Sequence, residues 1–186
     1  MQGSQNHISE WQYRVAYERH EPSYKSLFLH FYKELTTFAY SFVKTKESAE
    51  EVVSDVMVKI WLMGKELSGI QNLRVYLFSA TRNTALTYLK KEQRLASWEA
   101  ENVAVELNLN LYHPEAAMLH SELQQKVAAA VRELPPKCQM VYKLIREDGF
   151  SYKETGTILE ISENTVDRHL SKAVQRLREA VSVYLR

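Results

Sequence analysis

Apolar residues recur along most of this chain at helical rather than strand spacing. From Ser23 to Thr45, Leu27, Phe28, Phe31, Leu35, Phe38, Ala39 and Phe42 form one wide stripe, which predicts a strong amphipathic helix. Before it, a shorter helix is expected from Glu10 to His20, ended by Pro22, which disfavours helical geometry at Glu21. Residues 1–8 are polar and are expected to be loose. After a short connection, Ala49 to Met63 places Val52, Val53, Val56, Met57, Ile60 and Trp61 on an inner face, and Trp61 is expected in the core. Glu50, Glu51, Ser54, Asp55 and Lys59 fall outside, with Gly64 just past the helix end. Val58 also falls on the outer side, where solvent alone would not call for an apolar residue. Lys65 to Asn72 reads as a loop. Leu73 to Leu95 reads as a long helix with Leu73, Tyr76, Leu77, Ala80, Ala85, Leu86 and Leu89 inward.

The periodicity is lost from Ala96 to Pro114, which reads as a linker, and it lacks the Gly/Ser character of a featureless coil. Glu115 to Glu133 is again helical, with Leu119, Leu123, Val127, Ala130 and Val131 inward. Leu134-Pro135-Pro136 breaks it and opens a helix from Pro136 to Asp148, ended by Gly149. Between Ser151 and Arg178 two helical patterns flank a tight break at Glu160-Ile161-Ser162. In the second, Val166, Leu170, Ala173, Val174 and Leu177 share a face, and Ser162 is placed to cap the first turn. Asn164, Thr165, Arg168, His169, Lys172 and Arg176 alternate with that apolar set. This is the pattern of a helix-turn-helix whose second helix packs with one face and reads DNA with the other.

Composition supports an all-α fold of two small helical domains: residues 10–95, a linker at 96–114, and residues 115–186 ending in the helix-turn-helix. Of 186 residues, 45% are hydrophobic, enough for a real core, and only 5 Gly and 4 Pro occur, which favours helices over short strands. The net charge of +1 conceals its distribution. Residues 71–95 carry a net +4, residues 96–134 a net −4 and residues 135–186 a net +2. In the first of these, Arg74, Arg82, Lys90, Lys91 and Arg94 lean away from the apolar face. A helix dipole favours cations in the last turn but does not account for Arg82 and Asn83 in the middle. The single cysteine, Cys138, excludes an intrachain disulfide and is expected to be a buried, inert thiol in a reducing compartment. No apolar run approaches the roughly 18 residues of a membrane span. The first residues have no signal-peptide core. A cytoplasmic protein without direct membrane insertion is the expectation.

Catalytic chemistry finds no footing. His7, His20, His30, His113, His120 and His169 form no metal-type spacing with Cys138 or with paired carboxylates. The glycines are isolated and cradle no phosphate. Glu50, Glu51 and Asp55 lie at helical spacing, the mark of a solvated face rather than of acid–base catalysis. No enzyme activity, cofactor, metal or small-molecule substrate is expected.

Three stretches together resemble one family, the bacterial RNA polymerase sigma factors of the extracytoplasmic-function type, over roughly residues 20–183. Ala49–Trp61, AEEVVSDVMVKIW, is similar to the family helix that docks on the polymerase clamp. Leu73–Arg94, with its Arg82-Asn83 pair, is similar to the promoter-melting helix. Leu134–Arg178, from the LPPK turn onward, is similar to the domain that reads the minus-thirty-five element. The resemblance implies core RNA polymerase, promoter DNA and an anti-sigma factor as partners. It implies polymerase contacts at Glu50, Glu51, Ser54, Asp55 and Val58. Minus-ten contacts are implied at Arg74, Arg82, Asn83, Lys90, Lys91 and Arg94, with a melted base captured near Lys65–Asn72. Minus-thirty-five contacts are implied at Ser162, Asn164, Thr165, Arg168, His169, Lys172 and Arg176. Asn164, Thr165 and Arg168 are best placed for base edges, since recognition helices read with their N-terminal part. The chain departs from the family at Glu160, where glycine is usual, and at Gly156, where alanine is usual. It also departs at Ser54, Met57 and Thr87, where glutamine, phenylalanine and aspartate are common. The alternative reading is a stand-alone helix-turn-helix regulator whose N-terminal helices sense or dimerise.

Overall fold

The structure, a computed structural model, describes residues 2–43, 45–97 and 122–181, and the side chains of 7–43, 45–92 and 127–180. Every regular element among the described residues is helical. The chain divides into two compact units, Met1–Ala104 and Val105–Arg186.

The first unit is built from α1 (Gln2–Glu18), α2 (Glu21–Tyr40), α3 (Lys46–Met63) and α4 (Leu73–Ser97), with a 3₁₀ segment at Gly64–Gly69. α1 begins eight residues before the expected start at Glu10, so the polar opening of the chain is helical rather than loose. Its apolar stripe, which includes the buried Val15 and Ala16, is short. It ends at Arg19, which adopts a left-handed conformation with φ 53°, and His20 then caps α2 by accepting from the amide of Ser23. Pro22 sits in the first turn of α2, where its missing N–H costs nothing. Leu27, Phe31, Leu35 and Phe38 of α2 meet Val52, Val53, Val56, Met57 and Ile60 of α3 and Leu77 and Phe78 of α4 in the core. Each such side chain contributes about 1.5–3 kcal/mol by leaving water. Phe38 packs on both Phe42 and Phe78, at 5.2 and 4.8 Å between ring centroids.

Trp61 departs from its expected place in the core. It is half-buried at the surface, 5.0 Å from the ring of Tyr24, with the Arg19 guanidinium 5.5 Å over it. Leu62, its neighbour, points fully outward. The helical register turns Trp61 toward the N-terminal end of α2, where, among the described residues, only Tyr24 and Arg19 stack on its ring.

The second unit holds α5 (Glu122–Arg132), α6 (Pro136–Tyr142), α7 (Tyr152–Leu159) and α8 (Glu163–Val181). The helix expected to run from Pro136 to Asp148 widens after Tyr142 into a π-helical turn, Lys143–Glu147, closed by the Asp148 amide donating to Lys143 O. This turn folds the buried Lys143 ammonium onto Asp148, 2.9 and 3.1 Å from its two carboxylate oxygens. A buried cation is tolerated because it is paired in this way. The expected linker begins later than predicted, since α4 runs on through Ala96 and Ser97; the rest of it, and the first seven residues of the helix expected from Glu115 to Glu133, lie outside the described residues.

Candidate polymerase and nucleic-acid interfaces

α8 is positioned by its buried face. Ala173 and Leu177 pack with Ala130, Val131, Leu134 and Cys138, while Val166 and Leu170 pack with Val141. Its N-terminus is set by Ser162, whose Oγ accepts from the Thr165 amide at 3.2 Å and lies 2.8 Å from Thr165 Oγ1. Ser162 and Thr165 thus satisfy one another, and Thr165 is half-buried. Asn164, Arg168, Lys172 and Arg176 are exposed, and none makes an ion pair or side-chain hydrogen bond with another described residue. Asp167, on the same outward side, is also exposed. His169 is different. Its ring is half-buried, with Nδ1 3.5 Å from Cys138 Sγ, which ties it to the scaffold. Burial first, then the cations Arg168, Lys137 and Lys172, push its pKa down, disfavouring the charged imidazolium. Burial likewise pushes the Cys138 thiol up, against the smaller opposing pull of Lys172 and Arg176.

The turn before α8 is a Schellman closure: Ile161 N–H donates to Gly156 O at 3.0 Å, and Glu160 N–H donates to Thr157 O. Glu160 accordingly adopts φ 55°, ψ 45°, a left-handed conformation that costs a non-glycine residue about 1–2 kcal/mol. The same closure brings Ile161 O to 2.8 Å from where a Cβ on Gly156 would lie. Gly156 is therefore required by the packing of this turn, a reason for its departure from the usual alanine that the sequence alone does not show. At the other end of α7, Ser151 and Glu154 form a reciprocal capping box.

α4 presents a different surface. Arg74 is half-buried and paired with Glu34 of α2, its Nη2 3.1 Å from Oε2, and it lies over the Phe78 ring at 5.5 Å. This cation is committed within the protein. Arg82 donates through Nη1 to Asn83 Oδ1 at 2.9 Å, so the exposed Asn83 amide keeps its NH₂ donors outward. Thr84 accepts from Lys59, and the Tyr88 hydroxyl lies 2.9 Å from Ser48 Oγ. Lys90 and Lys91 are exposed. The side chain of Arg94 lies outside the described residues.

On α3, Glu51, Ser54, Asp55 and Val58 are exposed, Val58 by 52%. Glu50 is half-buried and turned aside: Lys46 lies 3.5 Å from it, and its carboxylate helps raise the Tyr32 phenol, after burial. Leu62, 67% exposed, continues the Asp55–Val58 line one turn on, so the face is part acidic and part apolar. Sequence reasoning missed Leu62, although its i+4 relation to Val58 was a readable signal. Val58 and Trp61 also border an open groove of about 720 Å³ with Glu21, Pro22, Tyr24 and Lys25. Among the described residues no group of acidic, cysteine and histidine side chains is arranged to hold a metal. No helix there is long and apolar enough to cross a membrane.

Two features of these surfaces have counterparts in known proteins. Residues 27–95 match the family model for Sigma-70 region 2, and residues 124–177 match that for Sigma-70, region 4. The chain is 21% identical over 167 residues to the ECF RNA polymerase sigma factor SigX of Bacillus subtilis, covering 86% of this chain and 84% of SigX. It is 23% identical over 152 residues to the RNA polymerase sigma-H factor of Pseudomonas aeruginosa, covering 78% of this chain and 79% of that protein. Among solved structures it is similar to the sigma factor RpoE of Bartonella quintana, in complex with the anti-sigma factor NepR. The TM-score is 0.63 at 27% identity, over 86% of this chain and 96% of that one. CnrH, in complex with the cytosolic domain of CnrY, shares the fold with a TM-score of 0.60 at 17% identity, over 95% of this chain and 98% of that one. A sigma factor is not an enzyme class, and the region 2 match in the N-terminal unit disfavours a stand-alone regulator. The chain belongs to the sigma-70 family and is a sigma factor of the extracytoplasmic-function type, which binds core RNA polymerase and directs promoter-specific initiation of transcription.

Proposed function

We propose a division of that activity among three helices, in a protein that works in the cytoplasm and has no catalytic activity of its own. The unit at residues 115–186 reads the minus-thirty-five element with α8. Arg168 and Asn164 address base edges, where Arg pairs with guanine and Asn with adenine, and Thr165 lines the same approach. Lys172 and Arg176 neutralise phosphates. Ser162 and His169 set the position of that helix rather than contact bases. The unit at residues 10–95 binds core polymerase through Glu51, Ser54, Asp55 and Val58 of α3, with Leu62 added and Glu50 at the margin. It engages the minus-ten element through Asn83, Arg82, Lys90, Lys91 and Arg94 of α4. Arg74 holds α4 to α2 instead. An unstacked base of the melted strand is received by the segment from Lys65 to Asn72, most of which forms the 3₁₀ turn begun at Gly64. Residues 96–114 link the two units. A neighbouring fold has been captured with an anti-sigma factor, and this chain is expected to have such a partner covering the same surfaces.

The observation that carries the proposal is α8, whose outward Asn164, Arg168, Lys172 and Arg176 make no ion pair or side-chain hydrogen bond with another described residue. The experiment combines the purified protein with core polymerase and a promoter library and measures specific initiation. Initiation above core polymerase alone, from a recurrent two-part sequence, is expected. Initiation no greater than core alone, with sequence-specific DNA binding retained, would overturn it.

A further inference from the structure

The segment from Gly64 to Asn72 is gripped from behind by α1, a helix outside the region 2 match, which begins at residue 27. Gln12 is only 9% exposed, and its Nε2 donates to two backbone carbonyls at once, Leu67 O at 2.7 Å and Ile70 O at 2.8 Å. One primary amide thus fixes the last turn of the 3₁₀ segment, at Leu67, and the residue just past its end, Ile70. Further along α1, the Tyr17 hydroxyl lies 3.0 Å from Ser68 Oγ, which itself donates to Lys65 O at 2.7 Å. At the end of α1, Arg19 donates to Trp61 O, just before the segment begins. Leu67 is fully buried beneath this grip, while Lys65, Ser68, Gln71 and Asn72 are exposed. The segment therefore has a clamped inner side and a polar outer side. A site that must hold an unstacked base needs its backbone fixed within a fraction of an ångström, and a short 3₁₀ segment, with its poorer hydrogen-bond geometry, does not supply this alone.

We propose that Gln12 is a positioning residue for promoter opening: through its paired hydrogen bonds, α1 holds the Gly64–Asn72 segment in the shape that receives the unstacked minus-ten base. This rests on the reading of that segment as the base-capturing one. It predicts that α1 contributes to base selectivity without touching DNA.

The test uses holoenzyme assembled from core polymerase and the full chain. Initiation is measured on promoters carrying each of the four bases at each minus-ten position. Core affinity and the response to minus-thirty-five substitutions are measured beside it. Gln12→Leu keeps the side chain's bulk but removes both donors, and it is expected to compress the ratio between best and worst minus-ten base about tenfold. Core affinity and the minus-thirty-five response are expected to stay at wild-type values, an outcome that general loosening of the fold does not give. Tyr17→Phe with Ser68→Ala removes the second, exposed grip and is expected to compress the same ratio by a smaller factor. Should Gln12→Leu not fold, this pair decides, and an unchanged ratio in it overturns the proposal. Gln71→Ala separates the two layers. A minus-ten preference that survives Gln71→Ala combined with Lys65→Ala overturns the base-capture reading and the proposal with it. A preference lost there but kept in Gln12→Leu overturns the bracing role alone.

Discussion

α4 and α8 are the two basic helices that the proposed function directs at promoter DNA, and their polar side chains are arranged in opposite ways. α8 has one buried face, and four of its outward side chains, Asn164, Arg168, Lys172 and Arg176, have no side-chain partner among the described residues. α4 is packed by α2 and α3, and much of its polar surface is already spoken for. Arg74 is paired with Glu34, Arg82 with Asn83, Thr84 with Lys59 and Tyr88 with Ser48. The contrast has a physical consequence. A free side chain such as Arg168 loses about 0.5–1.5 kcal/mol of rotamer freedom when it docks, but it can adapt to a base edge. A pre-paired group such as Arg82–Asn83 loses less and adapts less. Duplex reading suits the first arrangement, and holding a strand in a set path suits the second.

The comparison can be broken at α8 most directly. Arg168→Ala is expected to cost about 1–3 kcal/mol of discrimination at one minus-thirty-five position with no change in Tm, because the side chain supports nothing in the fold. Lys91→Ala on α4 is expected instead to weaken binding evenly across sequences and to lower the salt slope by about one. Binding titrations against sequence variants at several salt concentrations separate the two. Equal loss of sequence preference from both would end the distinction.

A second prediction concerns what presents α8. Gly156→Ala is expected to destabilise the second unit by about 1–3 kcal/mol, since the new Cβ meets Ile161 O at 2.8 Å. Thermal or denaturant unfolding measures this, and a neutral result would mean that the turn relaxes freely. Glu160→Gly is expected to have a smaller effect of opposite sign, a gain of up to about 1 kcal/mol from relief of the left-handed backbone, less the entropy glycine adds to the unfolded chain. The double variant is expected to recover part of the Gly156→Ala loss, because a glycine at position 160 lets the Ile161 carbonyl move. Strict additivity in a double-mutant cycle would show that the two positions are uncoupled.

The smallest expected effect is one of pH, and it is confined to α8 because α4 has no histidine. The His169 pKa is lower in the folded chain than its ordinary value of about 6.5, so the unfolded chain binds more protons between the two values. Stability of the second unit is therefore full above about pH 6.5 and falls as pH drops toward the folded pKa. His169→Gln is expected to flatten this part of the profile. A profile unchanged by the substitution would place the dependence elsewhere.

Much of this was legible in the amino-acid sequence. The 3.6-residue apolar period located α2, α3, α4 and α8 and most of their buried faces, because a helix that buries one side must repeat its apolar residues at that spacing; on α4 it set Tyr76 inward, where the fold exposes it, and passed over Phe78, which is fully buried. The caps His20 and Ser151 and the π-helical turn were not predicted, since they depend on where hydrogen-bonding groups meet rather than on polarity patterns. Charge at a position says nothing of whether a partner stands opposite, so on the sequence alone Arg74 and His169 fall among the DNA contacts. The folded chain directs Arg74 to Glu34 and His169 to Cys138. For the same reason nothing along the chain connected Gln12 with Leu67 and Ile70, more than fifty residues away.

What the sequence determined by itself was the helical composition, the order of the helices and which face of each is apolar, because these follow from local spacing. Tertiary structure alone decided which polar groups are already satisfied within the protein and which remain available to a partner. A hydrogen bond or ion pair between distant segments needs both groups in place, and only folding brings them there.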